Sequence, residues 1–200
     1  MRTTLLKTGF ILLVLVLSGC SDNDDNNNYE PLTATEQNSL LFMLEEEKLA
    51  RDTYRYLDDL WSLTEFENIK QSEQSHMDAI AQQLDRYNIS YTILPEGQFN
   101  NQNLQDLYDQ FVIDGQANQV AALTIGATIE DLDIVDLQEE SLLINNSAVL
   151  NVYESLQCGS RNHLRSFVSA LDNLGETYTP QYLTQEEYNT IITSPHEQCN

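Results

Sequence analysis

Apolar positions recur with helical spacing along four long stretches. Thr33-Ala-Thr-Glu36 has the spacing of a capping box, and the pattern it opens runs to Trp61 without Pro or Gly. The apolar stripe there is Leu40, Met43, Leu44, Ala50, Tyr54, Leu57 and Trp61. A second stretch, 65–87, has Phe66, Ile69, Met77, Ile80 and Leu84 on one face. A third, 117–140, has Leu123, Gly126, Ala127, Ile134 and Leu137. The fourth, 147–174, has Val149, Tyr153, Leu156, Ser160, Phe167, Ala170 and Leu171, and stops at Gly175. Ser62-Leu-Thr64 is too short to do more than reverse the chain, so the first two helices are expected to be antiparallel neighbours. Residues 88–116 interrupt the pattern with Pro95 and Gly97 before a short helical piece. That length suits a crossover in a four-helix bundle. The tail, 175–200, reads as irregular chain with one short helix.

The polar residues that break the apolar stripes carry the chemistry. Glu47 and Arg51 fall inside the first stripe, whereas Glu45 points away and Glu46 flanks it. Glu73 and His76 are three apart, so they share a helix face, and that face is otherwise apolar. Glu130 is central in the third stripe with Asp133 at its edge, and His163 lies on the fourth. Each alone has a plain explanation: a Glu47–Arg51 pair, or a core histidine with a satisfied ring. Together they put a ligand-type side chain near the middle of all four helices. Buried carboxylates and imidazoles desolvate and repel one another unless cations lie between them. Oxygen and nitrogen donors without thiolate suit Fe, Mn or Zn.

Composition narrows the alternatives. Nine Lys and Arg stand against thirty-two Asp and Glu, a formal charge of −23. Such an excess excludes nucleic acid and anionic membrane surfaces as natural partners. No Gly-rich phosphate loop or G-x-S-x-G elbow occurs. His196-x-x-Cys199 near the terminus is a weak metal signal, and a solvated tail explains it better.

The first nineteen residues read as a signal peptide: a basic start, MRTTLLK, then the apolar run GFILLVLVL. Leu17-Ser-Gly-Cys20 resembles the bacterial lipobox, which implies lipidation of Cys20. Ser21, following it, implies sorting to the outer membrane, facing the periplasm. Residues 20–32, Asn- and Asp-rich, are expected to be a disordered tether. The lipid anchor would then be the chain's one membrane contact, and residues 33–200 one domain. In an oxidising compartment Cys158 and Cys199 can pair and tie the tail to the last long helix; two free thiols are the alternative.

The blocks EEEKLARDTY, FENIKQSEQSHM, GATIEDLDIVDL and CGSRNHLRSF resemble, in this order, those of a bacterial ferritin-like family of uncharacterised function. Glu47-x-x-Ala-Arg51-x-x-Tyr54 is similar, more loosely, to rubrerythrin-type helices. The resemblance implies an all-α, ferritin-like four-helix bundle over 34–174. It also implies a di-metal centre, with Fe first and Mn or Zn as alternatives, held by Glu47, Glu73, His76, Glu130 and His163. Arg51 and Tyr54 would stand behind these ligands. Ferritin-like sites draw Glu-x-x-His from two helices, but Ser160 occupies the place of the second Glu here. Asp133 is the candidate replacement. Two functions follow as expectations: an oxidoreductase acting on O2, peroxide or Fe2+, or a non-catalytic metal-binding or partner-docking module with an incomplete site.

Overall fold

A computed structural model describes residues 30–199. The signal-like start, Cys20 and most of the tether lie outside the described residues. Six helices and no strand occur among those that are described: α1 (Ala34–Trp61), α2 (Thr64–Arg86), α3 (Gln102–Gly115), α4 (Gln119–Ser141), α5 (Ser147–Asn173) and α6 (Gln185–Thr193). None of them is long and apolar enough to cross a membrane.

The four expected long helices are α1, α2, α4 and α5. They pack in a ring, α1 on α2, α2 on α5, α5 on α4 and α4 on α1. The capping box at the start of α1 forms: Glu36 N–H donates to the Thr33 hydroxyl, and Glu36 Oε2 accepts the Thr33 N–H at 2.9 Å. The other Glu36 oxygen accepts the N–H groups of Asn145 and Asn146 at 2.9 and 3.0 Å. One buried carboxylate therefore joins the start of α1 to the α4–α5 turn. Gly126 lets α4 approach α5 closely, because a Cβ there would lie 2.5 Å from the Phe167 ring.

The crossover is more ordered than its broken pattern suggests. It contains α3, which packs on α1 and α4, and its loop is fastened to the outer face of α1. Lys48, buried, donates to the carbonyls of Pro95 and Gln98 at 3.0 and 3.1 Å and pairs with Asp52. Asp52 also accepts Gly97 N–H at 3.0 Å, and Glu45 accepts the N–H groups of Asn100 and Asn101, each at 2.8 Å. The tail is fastened similarly. Asp131 accepts Tyr178 O–H and the N–H groups of Gln181, Tyr182 and Leu183. The Cys158–Cys199 disulfide is formed, so Cys199 is not free to pair with His196.

The core is two apolar clusters. One holds Leu57, Phe66, Phe167 and Leu171; the other holds Leu40, Met43, Met77, Ile80 and Tyr153. On α1, α2 and α5 the ligand-type residues fall at the boundary between the two; on α4 Glu130 lies between Ile129 and Ile134 of the first cluster. A polar layer thus crosses an otherwise apolar bundle.

Candidate metal centre

Helical spacing delivers five groups from four helices to that layer. Glu47 comes from α1, Glu73 and His76 from α2, Glu130 from α4 and His163 from α5. The three glutamates are 0–2 % exposed. Their donor atoms form two triads within 4.8 Å, Glu47–Glu73–His76 and Glu73–Glu130–His163. Glu73 belongs to both. Its Oε2 lies 2.8 Å from His76 Nδ1 and its Oε1 lies 2.8 Å from His163 Nδ1. His76 Nδ1 is also 3.1 Å from Glu47 Oε2, and His163 Nδ1 is 3.4 Å from Glu130 Oε2. Both imidazoles turn Nδ1 inward, and their rings stack with centroids 5.5 Å apart. Side-chain exposures of 12 and 11 % make them the open edge of the layer.

Several of these atoms are close without being satisfied. Glu47 Oε1, Glu73 Oε1 and His163 Nδ1 are buried and have no hydrogen-bond partner. Glu73 Oε1 and His163 Nδ1 are near enough to bond but misaligned. Converging lone pairs left unpaired in a dry interior are costly. Shared cations would satisfy them, so the donor set fits a pair of divalent ions.

The electrostatics are those of groups forced together. Burial pushes Glu47 up to about 7, against the pull of His76. Burial acts on Glu73 in the same direction, but His163 and then His76 outweigh it and hold that carboxyl well below its usual range. Burial alone would lower His163, yet Glu73 and Glu130 lift it to about 10. His76 likewise rises, through Glu47 and Glu73, despite its burial.

The remaining expected residues divide. Tyr54 O–H donates to Glu130 Oε1 at 2.5 Å and so stands directly behind a triad carboxylate. Arg51 does not: it bonds Asp52 Oδ1 and Gln74 Oε1, and the expected pair with Glu47 is not among its bonds. Its next neighbour in sequence captures it. Asp133 is buried beside the triads but belongs to neither, and its Oδ2 accepts the Ser160 hydroxyl. Burial, with Glu47 and Glu130, holds Asp133 well above the carboxylate range.

Two residues escape a reading of the stripes. Glu46 is buried, with neither oxygen hydrogen-bonded, and burial with Asp133 and Asp136 raises it strongly. Its place one residue before Glu47, at the edge of the seam, was the available signal. Gly159 lies against His76, where a Cβ would meet Nε2 at 2.6 Å. A small residue one position before Ser160 gave no comparable signal.

The profile of an uncharacterized protein domain, DUF2202, matches residues 36–195. The uncharacterized protein MJ0754 of Methanocaldococcus jannaschii is 46% identical over 170 residues, 84% of this chain and 92% of that one. The crystal structure of hypothetical protein MJ0754 from Methanococcus jannaschii, 46% identical, superposes with a TM-score of 0.83, covering 84% of this chain and 98% of the other. A profile match over most of the bundle and a close relative of nearly equal extent agree: the chain belongs to the DUF2202 family.

Proposed function

We propose that this protein is a ferritin-like metal-binding protein with a dinuclear centre, and that it is an oxidoreductase acting on O2, peroxide or Fe2+. The observation that carries the reading is the shared glutamate, each of whose oxygens faces a different inward-turned imidazole Nδ1. Glu47, Glu73 and His76 would hold one ion, Glu73, Glu130 and His163 the other, with Glu73 between them. A pair of such ions supplies one-electron steps to a small oxidant. The protein's own contribution is to hold its donors in place and keep the layer dry. Tyr54 fixes Glu130, and Gly159 gives His76 room. Asp133, held well above its usual range by burial, is fixed beside the layer by the Ser160 hydroxyl. The stacked imidazoles are the part of the layer nearest solvent.

A second reading has its own support. Ser160 stands where a fourth carboxylate would complete the site, and it holds Asp133 by a hydrogen bond. That arrangement favours metal binding without turnover. Rates of Fe2+ oxidation by O2, and of peroxide consumption, separate the two. The catalytic reading expects metal-dependent turnover that Glu73→Ala abolishes; bound metal with no turnover leaves the binding reading alone.

The exported, outer-membrane lipoprotein reading also stands as a proposal. Its support is the lipobox resemblance at Cys20 and the Cys158–Cys199 disulfide, a bond typical of oxidising compartments.

A further inference from the structure

The tail beyond α6 is clamped to one turn of α5, the turn that carries His163. Glu197 accepts from Arg161 at 2.5, 2.9 and 3.1 Å and from Arg165 at 2.6 Å. Its N–H donates to Asn162 Oδ1 at 2.9 Å, and Asn162 Nδ2 returns a bond to its carbonyl. Arg165 also reaches the Ile191 carbonyl and the Ser194 hydroxyl, at 2.9 and 2.7 Å. All three α5 anchors lie within two residues of His163. The covalent end of the clamp is asymmetric: Cys158 is buried, Cys199 exposed.

We propose that the Cys158–Cys199 disulfide is a releasable latch that sets the affinity of the metal position at His163. The proposal rests on the dinuclear reading above. The partner is a dithiol reductant. Its thiolate attacks the exposed Cys199 Sγ, a mixed disulfide forms, and Cys158 leaves as a thiolate that takes up a proton. The second thiol of the reductant resolves the mixed disulfide. Two electrons and two protons have then passed to the chain, leaving two cysteines and an oxidised reductant. With the covalent tie gone, the clamp depends on ion pairs open to water: Glu197 is about a third exposed. Such pairs hold a segment weakly. The tail opens, and the outer support of the His163 turn goes with it. Ligands whose supporting groups are lost bind metal about 10–100-fold more weakly. The Glu47–Glu73–His76 position takes its ligands from α1 and α2; it meets α5 where His76 lies against Gly159, outside the hydrogen-bonded anchors 161–165, and keeps its affinity.

The test is an anaerobic Co2+ titration of the full chain, oxidised, against the Cys158→Ser/Cys199→Ser double variant, which has no competing thiols. The expected result is two Co2+ per oxidised chain, and in the variant a second equivalent weakened about 10–100-fold beside an unchanged first. Hydrogen exchange of amides 159–166 in the metal-free variant should quicken, with the rest of the bundle unaffected. Equal affinities for both equivalents in the two proteins overturn the latch but spare the dinuclear reading. No Co2+ on the oxidised chain overturns both. Should the double variant not fold, the single Cys199→Ser variant, which breaks the same bond, replaces it: a second equivalent unchanged there also overturns the latch.

Discussion

Four consecutive residues, Glu45-Glu-Glu-Lys48, meet four different fates, because each helical step turns the side chain by 100°. Glu45 holds the crossover loop, Glu46 is buried beside the acids of α4, Glu47 enters the triads, and Lys48 reaches back to the crossover. Glu46, Glu47 and Asp133 all have folded-state pKa values above their unfolded ones, and so do His76 and His163. Groups raised in this way bind more protons when folded. Their stabilisation is complete below the unfolded pKa and is lost as pH rises through the folded one. Glu73 acts oppositely, and its share is lost as pH falls below its unfolded value of 4.5. The metal-free protein is therefore expected to be most stable near pH 5 and to lose stability from there to about pH 10, by thermal melts in chelator. Glu46→Gln, which removes one raised carboxyl, should make that decline shallower; an unaltered slope would sink the assignment. At the facing helix, Gly159→Ala gains helix propensity but drives a Cβ into His76. It should weaken the first metal position more than the second, read by the same kind of titration.

Among the elements, the α1 face turned away from the seam holds the crossover in place. Asp52 is fully buried between Lys48 and Arg51 and accepts Gly97 N–H. Asp52→Ala leaves two cations without their buried partner, so a loss of about 3–5 kcal/mol in urea unfolding is expected. A change under about 1 kcal/mol would show the network to be no stronger than a surface pair. None of this was legible in the sequence. The 3.6-residue period reports which side chains face the bundle axis, and on that ground the five residues that the fold brings into the two triads were singled out. It reports nothing about the path of a 14-residue helix and loop around the outside, which decides what Lys48 and Asp52 touch. Arg51 went astray for a similar reason: it does lie in the seam register, but Asp52, its immediate neighbour, is nearer than Glu47. Ser160 was singled out as the missing carboxylate and Asp133 as its replacement, whereas the hydrogen bond between them depends on how α4 and α5 pack.

At the scale of the molecule, the proposed metal centre would couple stability to metal through a polar layer between two apolar clusters. An ion that binds only the folded chain stabilises it by mass action, by about 2.7 kcal/mol at a hundredfold excess over Kd. Chelation should lower the melting temperature of the wild-type protein and leave Glu73→Ala unmoved. On the proposed reading metal would also displace protons from His76 and His163, so binding near pH 7 should release about two per chain, read as the dependence of calorimetric heat on buffer. Strong acidity and a tether-like segment fit a domain held clear of an anionic surface. If Cys20 is the anchor, Cys20→Ser should move the chain from the membrane fraction to the soluble one. The most direct test is metal stoichiometry by elemental analysis after anaerobic loading with Fe2+. The account predicts two ions per wild-type chain, one in Glu47→Ala, one in Glu130→Ala and none in Glu73→Ala; two ions retained by Glu73→Ala, or none bound by the wild type, would contradict it.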